Sequence, residues 1–324
     1  MKMKNGKKLF FLTEAALGLL VLATVILMLQ EQNGRNTPRI SVILQNAQDS
    51  QWAAFRYGLK MAAQDQEVEL SVAGTEGILT AQEQADIIES EVAFGADAVI
   101  VQPARGMEEI LKKISRKIPV ILVEDTLEEA KKAELAVIQP DQYEMGKVLA
   151  EELLKDYSGG VEGKRIGIYR ESMDSPAEQQ RKKGFEDELK EAGALIVWDT
   201  SAEEQQQTGE SLEDLPEVDF VMGMNDDALV RAGETAANGN LHGALVYGIG
   251  NSTEAVYYLD TGIVERLVVP DEFQAGYQSL TESAESLRSY FYKPQDCEVS
   301  CTVLTRDTLF SKENQEILFT MSQG

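Results

Sequence analysis

The sequence predicts an α/β fold: two doubly wound parallel-sheet lobes joined by a three-strand hinge and preceded by one amino-terminal transmembrane helix. Three observations carry that expectation. Short apolar runs rich in Val and Ile recur along the chain. Stripes of helical period separate them, and residues 9–29 form one long apolar segment.

The membrane segment comes first. Lys2, Lys4, Lys7 and Lys8 precede LFFLTEAALGLLVLATVILML, 21 residues interrupted by a single charge, Glu14. A helix of ~20 apolar residues spans a bilayer core. Lysines on the amino side place that end in the cytoplasm and everything after Gln30 outside. Glu14 lies six residues past Lys8 and stays near the interface. Residues 1–8 therefore read as a cytoplasmic tail, 9–30 as an anchor in the cell membrane and 31–37 as a linker. A removable signal has a shorter core, ~7–15 residues, ending in small residues. Here the core ends in Met28-Leu29-Gln30-Glu31, with no Ala-x-Ala and no nearby cysteine for lipid attachment. An uncleaved single-pass anchor is the expectation, with cleavage the alternative.

After the linker, runs of strand length fall at 40–44, 68–72, 98–101, 120–123, 166–169, 195–197, 220–222, 245–247 and 267–269. Several are continuous rather than alternating, as strands buried on both sheet faces are. Between them, Ala85, Ile88 and Val92, then Met145, Leu149 and Leu153, then Leu229, Ala232 and Ala236 make single apolar stripes. Strand and helix in alternation argue a doubly wound architecture. The number of units requires two sheets, with a break near Gln139-Pro140-Asp141.

Composition excludes several functions. The net charge is −25, from 55 acidic and 30 basic residues, and no basic cluster follows Lys8. Nucleic acid is therefore not expected as a partner. The acidity reads first as a solvated surface and second as a preference for cationic ligands. Cys297 and Cys301 stand four apart, ~13 Å in an extended strand and too far to bridge unless a turn intervenes, so a disulfide stays open. His242, the only histidine, follows a Gly-Asn turn and reads as a loop residue. Gly-x-Ser-x-Gly, His-Glu-x-x-His and a dinucleotide glycine fingerprint are all missing. The run from Gly159 to Arg165 has the wrong spacing for a phosphate loop and precedes a strand. No enzyme, cofactor or metal is expected.

Ligands of open parallel sheets bind beyond the carboxyl ends of the strands. Those ends carry Asp49, Gln51 and Trp52; Gln102-Pro103; Glu124-Asp125; Tyr169-Arg170-Glu171; Met224-Asn225-Asp226; Gly250-Asn251; and Pro270-Asp271-Glu272. Amides, carboxylates and an indole suit a small polyhydroxylated ligand. The same positions suit helix caps: Asp49 or Ser50, Asp141, Ser175 and Asn225 each fit that role. Trp52 fits either core packing or a ligand contact.

In order and spacing, six segments resemble one family. They are GADAVIVQPA (95–104), IPVILVEDT (118–126), VIQPDQYEMGKVLAEELL (137–154), RKKGFEDEL (181–189), VMGMNDDALVRA (221–232) and YGIGNSTEAVYYLDTG (247–262). The chain, from about Pro38 to Phe319, resembles the type I periplasmic binding proteins of the ribose/galactose-binding branch, substrate-binding proteins of sugar ABC transporters. The resemblance implies an amino-terminal lobe of 38–139 plus 271–298 and a carboxyl-terminal lobe of 140–270 plus 299–324. It implies crossings near 139–141, 270–271 and 297–302, and hinge closure on a ligand. The implied ligand-binding residues are Asp49, Gln51, Trp52, Glu124, Asp125, Gln179, Asn225, Asn251 and Asp271. The family usually places Asp, Arg and Gln where this chain has Gly250, Asp125 and Pro270, so Asn251 and Asp271 stand in as neighbours. The expected function is a membrane-tethered receptor that closes on a small polar ligand, a carbohydrate, and presents it to an ABC permease or a histidine kinase. The alternative is a degenerate sensor that binds only a partner. A repressor of the lactose type would need a DNA-binding head where the membrane segment stands.

Overall fold

The computed structural model describes residues 37–74, 77, 79–124, 135–289 and 291–322. The expected anchor, residues 9–30, lies outside the described residues, and so does Asp125. Among the described residues no helix is long and apolar enough to cross a membrane.

From Arg39 onward the chain forms one compact unit containing two six-stranded sheets. The first holds β1 (Arg39–Ile43), β2 (Glu69–Ala73), β3 (Ala98–Val101), β4 (Val120–Val123), β5 (Ala136–Pro140) and β11 (Cys297–Val299). Their order is β11-β5-β4-β3-β1-β2, all parallel. The second holds β6 (Arg165–Arg170), β7 (Leu195–Ser201), β8 (Phe220–Gly223), β9 (Leu245–Ile249), β10 (Val264–Pro270) and β12 (Cys301–Leu304). Its order, β12-β10-β9-β8-β6-β7, repeats the first, but β12 is antiparallel to β10. The sheets are otherwise parallel, as expected from the sequence. One residue, Ser300, separates β11 from β12, so no crossover helix fits between them. The two cysteines consequently stand in different sheets, both as free thiols.

The continuous runs are buried on both faces. Every residue of β3 (AVIV) and β4 (VILV) is buried. Ile40, Val42, Ile100, Ile121 and Ile138 face α1 (Ala53–Asp65) and α9 (Glu272–Arg288). Their neighbours Ile43, Val99, Val101 and Leu122 face α2 (Ala81–Ala93) and α3 (Glu108–Ile114). In the second sheet Ile166, Ile168, Phe220 and Met222 pack against α4 (Gln142–Asp156) and α5 (Pro176–Leu189). Val221 and Val246 lie with α7 (Asp226–Ala237) and α8 (Thr253–Thr261) on the other face. Two short helices, α6 (Ala202–Thr208) and α10 (Gln315–Met321), complete the set.

The chain passes between sheets at Pro140–Asp141, Pro270–Asp271 and Ser300. The first two passages are tied to the third by backbone bonds, Asp141 N to Val299 O at 3.1 Å and Asp271 N to Ser300 O at 3.0 Å. Asp141 then caps α4 and Asp271 caps α9 through their side chains.

Glycines bring one helix pair in each lobe to backbone contact. Gly58 and Gly276 let α1 and α9 meet, and Gly146 and Gly184 do the same for α4 and α5. A Cβ at Gly146 would overlap the Arg181 carbonyl, whereas Gly159 opens on empty space. Gly146→Ala should therefore cost at least about 1–3 kcal/mol by overpacking, against at most about 0.5 kcal/mol for Gly159→Ala. Urea unfolding of both variants checks this; equal losses would contradict the close contact.

Candidate functional site

The carboxyl ends of the inner strands of both sheets border one cleft of about 210 Å³. That is smaller than the ~300 Å³ at which drug-sized sites begin, and suits a ligand the size of one sugar ring. From the first lobe come Gln51, Trp52, Gln102, Glu124 and Glu272; from the second, Glu178, Arg181, Asn225, Asp226, Asp227 and Asn251.

Local structure fixes each group. Trp52 ends a 3-10 turn, and its Nε1 donates to Gln45 O at 3.2 Å while its ring meets Phe55 edge-on at 5.4 Å. It is 3% exposed, so it serves as core and as cleft wall together. Gln84, buried in α2, donates to Gln102 O and accepts from Ala104 N, both at 2.8 Å, which sets the loop after β3. Gln102 Nε2 then donates to Glu124 Oε2 at 3.3 Å. Glu124 itself has φ 52°, in the left-handed region, a conformation uncommon away from glycine and typical of constrained sites.

In the second lobe, buried Arg181 donates through Nε to Gln142 Oε1 at 2.6 Å and through Nη1 to Met224 O at 2.8 Å. Asn225 Oδ1 accepts from Ala228 N at 3.0 Å, capping α7. Asp226 Oδ1 accepts from Asn251 N at 2.7 Å and Ser252 N at 2.8 Å. A side chain at Gly250 would come within 2.7 Å of that same oxygen. Asp226 thus fills the space that an acidic residue at position 250 would need. Asn251 Nδ2 reaches across the cleft to Gln51 O at 2.7 Å.

Of the residues foreseen from sequence, Gln51, Trp52, Glu124, Asn225 and Asn251 line the cleft. Three do not. Asp49 is exposed and lies at the rim, near enough to Asp227 to disfavour its ionisation. Gln179 is exposed and donates to Met173 O at 2.9 Å; the inward face of α5 carries Glu178 and Arg181 instead. Asp271 is exposed and caps α9 through Gln274 N at 3.0 Å, which leaves Glu272 to enter the cleft. Sequence reasoning missed Glu178. Gln102, Asp226 and Glu272 stood at strand ends, and Arg181 in the Arg-x-x-Gly-Phe segment, without being chosen. Arg170, also at a strand end, is spent on a bidentate pair with Asp199 at 2.7 and 2.9 Å. His242 is an exposed loop residue.

The cleft is electronegative. Burial pushes the carboxyl groups of Glu124, Glu272, Asp226 and Asp227 above the usual carboxylate range. Arg181 opposes this for Glu124 and Glu272, and backbone and side-chain bonds to Ser252 oppose it for Asp226. Burial pushes Glu178 up to about 7, against Arg181 and a bond from Glu171 N at 2.9 Å. Among the described residues no group of three or more His, Cys, Asp or Glu is disposed to hold a metal ion.

Residues 40–288 match the family described as periplasmic binding protein domain. A D-ribose/D-allose-binding protein from Pseudomonas aeruginosa is 24% identical over 253 residues, covering 74% of this chain and 78% of that one. A solved carbohydrate transporter solute binding protein from Agrobacterium radiobacter, in complex with D-arabinose, superposes with a TM-score of 0.76. It is 19% identical over 88% of this chain and 99% of its own. A chain of the XylFII–LytSN complex gives a TM-score of 0.71 at 14% identity, over 84% of this chain and 98% of that one. The first two of these are named as binding proteins, and the family is one of binding proteins rather than enzymes.

The raised value for Glu178 has a signed consequence for stability. Folding favours its protonated form, so the contribution is complete below about 4.5 and is lost as pH rises to about 7. The span corresponds to about 3 kcal/mol. Glu178→Gln keeps an acceptor for Glu171 N but does not titrate. Urea unfolding between pH 4.5 and 7.5 should show the wild type losing of the order of 3 kcal/mol more than the variant. Parallel profiles would contradict a protonated Glu178.

Proposed function

The chain belongs to the periplasmic binding protein family, and on that footing we propose that it is a membrane-tethered extracytoplasmic receptor that closes on a small polar ligand, a sugar. One observation carries the reading: the cleft draws polar side chains from both lobes, and Asn251 of the second already reaches Gln51 of the first at 2.7 Å. A ligand seated there is held by both lobes at once, so its binding energy favours the closed arrangement. Asp226 and Asn225 offer acceptor and donor positions, Arg181 a fixed cation and Trp52 an apolar wall, the mixture that polyhydroxylated molecules require.

The tether rests on the sequence: a lysine-flanked apolar segment at residues 9–30 that lacks a cleavage site. On this reading the closed body passes its state to a second membrane protein, an ABC permease or a histidine kinase. The XylFII–LytSN complex supports such a partner, because a protein of the same fold is found there in a complex with another protein.

Thermal unfolding of the full chain against D-ribose, D-allose, D-arabinose and D-xylose, extended to hexoses, tests the reading. At a hundredfold excess over Kd, a ligand stabilises by about 2.7 kcal/mol, about 5–10 °C for a body of this size. A shift by one sugar class is expected. No shift at millimolar sugar would overturn the reading in favour of a receptor that engages only its partner.

A further inference from the structure

We propose that the cleft selects a positively charged ligand, an amine-bearing sugar, because five carboxyl groups face one space in which Arg181 is the one cation among the described walls and is already engaged by protein groups. This rests on the receptor reading above. The carboxylates are Glu124, Glu178, Asp226, Asp227 and Glu272. Arg181 gives Nε to an amide oxygen and Nη1 to a backbone carbonyl; its single charge favours ionisation of Glu124, Glu178 and Glu272 together, and Arg231 favours that of Asp227, so the carboxyl groups still outnumber the cations facing them.

Glu272 supplies an independent observation. It is 4% exposed, and its Oε2 has no hydrogen-bond partner. A buried, unpartnered oxygen costs about 1–3 kcal/mol, and such groups in native structures call for a specific occupant. A sugar hydroxyl could donate to it, but brings no charge to stabilise the ionised forms of the surrounding carboxyl groups. An ammonium brings three donors and a compensating charge together, and charge-assisted bonds are about twice as strong as neutral ones. The carboxylates are not grouped so as to chelate a metal ion, which suits a cation carried on an organic frame.

The protonation of the walls points the same way. Burial raises Glu272, its neighbours Glu124 and Asp271 raise it further, and Arg181 opposes them. Burial in the empty cleft therefore favours the protonated form of this group. An ammonium entering the cleft favours the ionised carboxylate and expels the proton.

Calorimetric titration of the full chain at neutral pH tests this, with D-glucosamine, D-galactosamine and D-mannosamine beside D-glucose, D-galactose and D-mannose. At least one amino sugar should bind tenfold or more tighter than its neutral counterpart, about 1.4 kcal/mol. Its apparent enthalpy should vary with the ionisation enthalpy of the buffer, reporting proton release. Glu272→Gln should reduce the preference for the amine over its neutral counterpart severalfold, and an unchanged ratio would contradict a role for that carboxylate. Neutral sugars binding as tightly as the amines would overturn the inference and leave the receptor reading intact. No binding in either series would overturn the inference, and the receptor reading then stands or falls on the pentose and allose arms of the thermal screen.

Discussion

A single methyl group added at Gly146 would overlap the backbone of Arg181, and one added at Gly276 would overlap that of Phe55. These two contacts govern the cleft. Helices α5 and α9 carry three of its charged groups: Glu178 and Arg181 on one, Glu272 on the other. None of them can turn inward unless its helix lies hard against α4 or α1. With the backbones in contact, Arg181 can reach Gln142 Oε1 on α4, and Glu272 is buried at the first turn of α9. Glycine at these points costs about 0.5–1 kcal/mol of helix propensity relative to alanine, and packing at the contact offsets it.

The cleft concentrates charge in a way that folding alone does not favour. Burying ionisable groups without partners destabilises a protein unless they neutralise by binding protons. Here burial shifts Glu178 and Glu272 towards that form, and the left-handed Glu124 adds local strain. The same features are useful if a ligand completes them. Two sheets supply the frame, and its three crossings are tied together around Ser300. The Asn251–Gln51 bond is one direct link over the opening, and an exposed pair, Arg105 with Asp174 at 3.1 Å, is another. The exposed ion pair contributes little, about 0–1 kcal/mol.

Much of the frame was legible in the sequence because the inner strands are buried on both faces and read as unbroken Val and Ile. β11 and β12 were not, since three and four residues with Cys, Glu and Thr take their strand character from pairing with β5 and β10. Junction residues were legible as a set, but not which member of each set faces inward. That choice depends on the rotational phase of a helix: Gln179 lost to Glu178 and Arg181, and Asp271 to Glu272, each by one or two positions. Asp226 was hidden differently. Its role follows from the missing side chain at Gly250, a relation visible only when β8 and β9 lie side by side.

The central claim is that one ligand is held by both lobes at the strand ends. Amide hydrogen exchange of the full chain, with and without the monosaccharide that stabilises it most, tests that claim directly. Slower exchange is predicted at the same time in residues 51–53 and 271–274 of the first lobe and 176–181, 226–228 and 251–255 of the second. Protection confined to one lobe, or lying away from these segments, would contradict it.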